Sequence, residues 1–359
     1  MAQQYQRIVI KIGSNVLTTP NGLPDQERMG KLVAQLSAIH QSGTEVILVS
    51  SGAVASGRSL INLSEKTDPI AARQLLASVG QVKLINTYAH LFEKQNILCS
   101  QVLVTREDFR DRTHYLNMKN CLEILLQHKV LPIVNENDVV SVTELMFTDN
   151  DELAGLIASM LNAQALIILT NVDGIYNGDP KKPGSAVIEQ ISANGLDFSS
   201  FISTSKSQFG RGGMITKSTM AQKVAQLGIT VHIANGTKDG ILTEVLNQNV
   251  VHTRFVPNRS ASGRKKWIAH SANYAIAAIH INEGAKLALT SAKASSLLPV
   301  GVTSIEGDFK KGDIVKLIDE TGTMIGQGVA EYGSDKARER VGKKNEKALV
   351  HYDYLYLQS

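Results

Sequence analysis

Cysteine is almost missing from this chain: Cys99 and Cys121 are the only two in 359 residues. Two thiols can neither staple a disulfide framework nor fill a four-cysteine metal site, so both are expected to be small core residues in a reducing cytoplasm. Histidine does not make up the deficit, because none of the nine falls at a metal-ligand spacing such as HExxH. A zinc enzyme is therefore disfavoured, and no residue is assigned as a protein metal ligand. Apolar runs never approach the ~20 residues of a membrane span. The start, MAQQYQRIVIKIG, lacks the basic region, apolar core and cleavage site of a signal peptide. The expectation is a cytoplasmic protein with no membrane contact. Internal repeats and low-complexity tracts are absent too.

What is present is ordinary for a globular chain, 43% hydrophobic and 19% charged. The length calls for two domains. The net charge of +4 is uneven: from Pro257 onward there are 15 Lys and Arg against 11 Asp and Glu, and before it 22 against 22. That asymmetry suggests an anionic partner for the C-terminal part.

Apolar, β-branched runs alternate with helical periodicity. QRIVIKI (6–12) ends at Gly13-Ser14, and Met29, Leu32, Val33, Leu36 and Ile39 then share one helix face. EVILVS (45–50) follows, then a helical region over 70–92, a strand at 97–104, a helix over 116–127 and a strand from Val130. ALIIL (165–169), a helix over 214–227 and a strand at 229–234 complete the series. This predicts an α/β fold, a three-layer αβα sandwich with a mainly parallel central sheet. Ligands bind such sheets at the C-terminal strand ends. The polar residues fall there: Lys11 to Ser14, Ser50 to Gly52, Asn135 to Asp138, and Thr170 to Gly174. Past Val251 the pattern becomes polar and basic. Strand-like pieces at 275–281, 312–317 and 323–329 then predict a small β-rich domain. The expected division is 1–256, a linker over 257–274, and 275–359.

The stretch IVNENDVVSVTELMFTDNDELAGLIASML (133–161) organises the rest. A strand breaks into Asn135, Glu136, Asn137 and Asp138, and a second cluster, Asp149, Asn150 and Asp151, opens a helix. Either cluster alone reads equally as turn and cap; the two flanking one strand-loop-helix unit read as a site. Lys11, before a Gly-Ser turn, and Lys217, in the loop GRGGMITK (210–217), are placed to meet phosphate. Each also reads as a solvated lysine or a surface loop. Together they fit a phosphoryl transfer that needs no histidine. A carboxylate acceptor, with a pKa near ~4.3, is already ionised, so the task is to neutralise charge between two anions.

VIKIGSNVLT (9–18), LVSSGAVASGR (48–58), LLASVGQ (75–81), PIVNENDVV (132–140), DNDELAG (149–155), GIYNGDP (174–180) and GRGGMITK resemble the amino acid kinase family in order over nearly the whole chain. The part after GRKKW (263–267) looks like a PUA module. The resemblance implies that ATP, with Mg²⁺, donates its γ-phosphoryl to the side-chain carboxylate of L-glutamate, the first step of proline biosynthesis. It makes Lys11 and Lys217 the catalytic cations and Asp151 their organiser. Ser51, Asp138 and Asn150 bind glutamate. Lys11, Thr170, Asn171, Arg211, Gly212, Gly213, Met214, Ile215, Thr216 and Lys217 bind ATP. Asn171 and Arg211 depart from the Asp and Thr common at those positions, which bears on nucleotide contacts. It also implies a homo-oligomer (dimer or tetramer), feedback inhibition by proline and a transient contact with the reductase that consumes the glutamyl phosphate. Two rivals remain: another family member acting on acetylglutamate, aspartate, carbamate or UMP, or an RNA-binding protein. The latter would use Arg264-Lys265-Lys266 and the basic C-terminal module.

Overall fold

In the computed structural model, which describes residues 5–63, 67–109, 112–141, 147, 149–179, 184–193, 213–257, 275–291 and 295–357, side-chain alternation along the first strand sets the layering. In β1 (Arg7–Ile12), Ile8, Ile10 and Ile12 face one way and Val9 and Lys11 the other. The isoleucines join a core with Met29, Leu32 and Leu36 of α2 (Gln26–Gln41) and Leu84, Tyr88 and Phe92 of α4 (Pro69–Glu93). On the other face α6 (Asn150–Met160) packs on β1 and on β5 (Ala165–Thr170), and α5 (Arg112–Gln127) on β4 (Leu131–Glu136). Every described residue of α6 from Leu153 to Met160 is buried, as its apolar composition requires.

With β2 (Glu45–Ser50), β3 (Cys99–Val104), β6 (Gln190–Ser192), β7 (Thr230–Asn235) and β8 (Thr253–Val256), the sheet runs β3-β4-β2-β1-β5-β7-β8-β6. All neighbours are parallel except β7 and β8. Ile12 pairs with Ser50 on one side and Leu169 on the other, so the C-terminal ends of β1, β2 and β5 form one level rim. This is the αβα sandwich that the periodicity implies; the β8–β6 edge was not anticipated from sequence.

The short α3 (Ala53–Arg58) lies so close to α4 that both contact residues must be glycine. A Cβ at Gly80 would sit 1.8 Å from the Ala53 carbonyl oxygen, and one at Gly57 2.0 Å from that of Leu76. The glycines of LVSSGAVASGR and LLASVGQ thus let two backbones touch.

The cysteine expectation fails at Cys121 and holds only in part at Cys99, which packs against the core. Cys121 is exposed on α5, and Cys99 is only half-buried because β3 is the sheet's edge strand. Two histidines far apart in sequence do meet. The Tyr5 hydroxyl donates to His232 Nε2 (3.0 Å), His232 Nδ1 to His252 Nε2 (2.9 Å), and His252 Nδ1 to the Val250 carbonyl (2.8 Å). One neutral tautomer chain satisfies every group. Burial first, then His252 and Arg254, push His232 down to about 3.

The chain divides into two compact units, Met1–Ser260 and Ala261–Ser359. The second contains β9 (Ala277–Ile281), β10 (Val302–Glu306), β11 (Ile314–Ile318), β12 (Met324–Ala330) and β13 (Val350–Leu357). They form a sheet ordered β10-β9-β11-β12-β13 over a core of Ile279, Ile281, Val315, Leu317 and Val350. Three of these strands match the expected pieces; β10 and β13 were not anticipated. Arg264-Lys265-Lys266 lies outside the described residues. No helix among the described residues is long and apolar enough to cross a membrane.

Candidate active site

The chain enters the rim at β1, whose alternation aims Lys11 at the α6 face. There Asp149 caps α6, its Oδ1 accepting from the N–H groups of Asp151 (2.9 Å) and Glu152 (3.1 Å). The cap turns the next carboxylate inward, and Asp151 is fully buried. Lys11 Nζ lies 2.5 Å from Asp151 Oδ1, and Lys217 Nζ lies 2.5 Å from Oδ2. One carboxylate therefore bridges two ammonium groups from residues 206 positions apart.

Burial is the largest influence on Asp151 and works to raise its pKa. The charges and hydrogen bonds of Lys11 and Lys217 outweigh it and hold the carboxyl down at about 2. For Lys217 burial opposes the charge, but Asp151 and Asp149 together raise its pKa. Asp149 is pushed up to about 6 by burial and by the charge of Asp151, against the pull of both lysines. Two ammonium groups thus share the buried Asp151 carboxylate, with Asp149 as the next anion, in a setting that shields them from water.

Lys217 sits in the first turns of α7 (Met214–Gln226), whose N-cap, Gly213, offers no side-chain acceptor. The N–H groups of Met214, Ile215 and Thr216 consequently have no intrahelical partner and suit an anion. Arg211 and Gly212, expected to bind ATP, lie outside the described residues. Thr170 is buried at the end of β5 and its hydroxyl faces Asn171 Oδ1 at 3.4 Å. Close by in the chain, Asp173 accepts from Asn235 Nδ2 (2.9 Å) and pairs with Lys238 (2.8 Å).

A second group of contacts occupies the ends of β2 and β4. Asn150 Nδ2 donates to Ser51 Oγ (3.0 Å), Asn135 Oδ1 (2.9 Å) and the Ser50 carbonyl (3.3 Å). Asn135 Nδ2 in turn donates to Gln81 Oε1 (2.9 Å), and Ser50 Oγ meets the Tyr88 hydroxyl at 2.8 Å. Asp138 stands apart from Ser51 and Asn150 in these contacts. Its Oδ1 accepts from Arg73 Nε (3.0 Å) and, more closely, from Arg73 Nη2, which also reaches Glu136 Oε2 at 3.4 Å. The Phe147 N–H donates to Glu136 Oε1 (2.9 Å). Burial drives the Glu136 carboxyl up to about 7, with Asp138 adding to the rise and the Phe147 N–H and Arg73 opposing it.

The structure therefore joins Lys11, Asp151 and Lys217 in one cluster and Ser51 and Asn150 in another. It adds Gln81 and Arg73, to which sequence reasoning gave no role, and gives partners to Asn135 and Glu136, which it had placed only in the polar cluster after the strand. Arg73, Gln81 and Tyr88 are spaced eight and seven apart on α4, a polar stripe on an otherwise apolar helix face. That spacing was the available signal.

Known proteins resemble the chain over most of its length. The amino acid kinase family model matches residues 6–235, and the PUA domain model residues 277–352. Glutamate 5-kinase of Bacteroides thetaiotaomicron is 55% identical over the full length of both chains. That of Chlorobaculum tepidum is 51% identical over 98% of each. Among solved structures, carbamate kinase from Giardia lamblia bound to AMP-PNP covers 70% of this chain and 99% of its own, with a TM-score of 0.51 at 20% identity. An isopentenyl phosphate kinase substrate complex gives the same coverage and TM-score at 17% identity. At such identities these two speak for the fold alone.

Proposed function

The chain belongs to the amino acid kinase family and carries a PUA domain after it; from that premise we propose an ATP-dependent kinase that phosphorylates the side-chain carboxylate of L-glutamate to L-glutamyl 5-phosphate, opening proline biosynthesis. The observation that carries the reading is the bridge from Asp151 to both Lys11 and Lys217. A glutamate γ-carboxylate oxygen attacks the γ-phosphorus, the bond to the β-phosphate oxygen breaks, and ADP leaves. No proton moves, because the acceptor is already an anion. The chain's work is to bring two anions together and to stabilise the charge on the transferring group. Lys11 and Lys217 supply that charge, Asp151 keeps their ammonium groups in register, and the N-terminal N–H groups of α7 support the phosphates.

On the acceptor side, Ser51 and Asn150 present a hydroxyl and an amide to the glutamate carboxylates, and Asp138 takes its ammonium. Thr170, Asn171 and residues 211–217 hold the nucleotide. Among the described residues there is no cluster of three metal-ligating side chains. Mg²⁺ is held largely by phosphate oxygens and water, so this donor set fits an ion arriving with ATP. Asp149, whose Oδ2 is buried without a hydrogen-bond partner, would help hold it. When bound, Mg²⁺ neutralises phosphate charge.

We assign the chemistry to residues 1–256 and a separate role to 275–359, with 257–274 as linker. Exposed Leu98, Leu103, Leu116 and Ile124 along β3 and α5 support assembly with further copies of the chain. An acyl phosphate is short-lived in water, which favours a hand-off to a reductase in the same cytoplasmic compartment. The test is ATP consumption with and without L-glutamate, trapping the product with hydroxylamine. Hydroxamate in step with ADP is expected; activity on UMP and none on L-glutamate would overturn the assignment.

A further inference from the structure

The contact between Arg73 and Asp138 is built like a closed receptor. Asp138 is largely buried, with 10% of its side chain exposed, and Arg73 is a quarter exposed. The guanidinium has a second anchor in Glu136, whose other oxygen is fixed by the Phe147 N–H. Arg73 can therefore release Asp138 and still stay attached to the site. Opening this one ion pair would expose a carboxylate and a guanidinium side by side. An α-amino-acid head group carries the complementary pair, an ammonium and a carboxylate on one carbon.

We propose that Arg73 is a specificity-determining residue: it holds Asp138 in the free protein and, when glutamate arrives, exchanges that partner for the substrate α-carboxylate while Asp138 takes the ammonium. This rests on the glutamate reading above. The exchange gains an ion pair: one is given up inside the protein and two form across the interface. Free Asp138 is never left as an uncompensated, mostly buried charge, which would be costly. A ligand with only one of the two charges leaves Asp138 unpaired or Arg73 with Glu136 alone, so the site should select for the whole head group. The Nε and Nη2 edge of the guanidinium also suits a carboxylate better than a lysine ammonium would.

The test uses the full chain and three acceptors: L-glutamate, 4-aminobutyrate (no α-carboxylate) and glutarate (no ammonium). Each is followed as a substrate by hydroxamate formation, or as a competitor of L-glutamate where turnover is too slow. Arg73→Gln should raise the KM for L-glutamate by about 10- to 1000-fold, with kcat falling far less. The half-saturating concentration of 4-aminobutyrate should move by less than about threefold, so the preference between the two collapses. Asp138→Asn should collapse the preference over glutarate instead. If Arg73→Gln does not fold, Arg73→Lys decides: L-glutamate should weaken several-fold with 4-aminobutyrate unmoved. Equal weakening of both ligands, or of neither, in the folded variant would reduce Arg73 to a brace and overturn the proposal. Absence of hydroxamate from L-glutamate with the wild-type chain would overturn the kinase assignment itself.

Discussion

Two ion-pair clusters stand on the same rim with opposite charge balance. Around Asp151, two cations share one fully buried anion. Around Arg73, two carboxylates share one partly exposed cation. The first gathers two ammonium groups that can meet a triphosphate; the second has negative charge to spare and suits an ammonium. Burial acts on both, with different results. Asp151 has two compensating charges and stays ionised, whereas Glu136 shares its cation with Asp138 and is pushed up to about 7. The same element, a carboxylate at the end of β4 or the start of α6, becomes a charge organiser or a titrating group according to how many cations it can claim.

The largest expected effect falls on the positive cluster. Lys217→Ala or Lys11→Ala should lower kcat by about 10²- to 10⁴-fold, since each removes a preorganised charge from the transferring phosphoryl; steady-state ADP release measures it. Next comes the frame both clusters hang on. Gly80→Ala forces a Cβ against the Ala53 carbonyl and should cost about 3 kcal/mol or more of stability in chemical denaturation. Asp138→Ala should raise the KM for L-glutamate by about 10- to 100-fold and leave the KM for ATP within a factor of about two. A selective effect on ATP would reverse the assignment of the two clusters.

The smallest effect is in pH. Glu136 titrates higher in the folded chain than its ordinary 4.5. Between about 4.5 and 7 the native state therefore binds more protons than the unfolded one, and stability is lost as pH rises through that window. Glu136→Gln should remove this loss, seen as a thermal midpoint that gains on wild type from pH 5 to 7 by an amount equivalent to ~1–3 kcal/mol. His232 acts in the opposite direction. Its lowered value costs stability as pH falls from the ordinary 6.5 toward about 3, so only the difference between variant and wild type isolates Glu136.

Much of this was legible in the sequence because it depends on local pattern. β1, α2 and β2 follow from apolar periodicity, and the rim follows from parallel strands ending in polar residues. Lys11 stood out because it precedes a Gly-Ser turn, Lys217 because it follows a glycine-rich loop, and Asp151 because it opens a helix. Arg73 did not stand out, since an arginine near the start of a 25-residue helix looks like any solvated side chain until its partners at and just after the end of β4 are in view. The His232–His252 contact was hidden for the same reason: it depends on β7 and β8 pairing antiparallel in an otherwise parallel run. Cys121 was misjudged because α5 covers an edge, leaving one of its sides to solvent.

The division of labour between the clusters is tested most directly by a single-turnover rate, with both ATP and L-glutamate saturating, for Lys217→Ala and Asp138→Ala. The account predicts a fall of at least about 100-fold for the first and less than about fivefold for the second. Equal losses in the two variants, or a Lys217→Ala rate close to wild type, would contradict it.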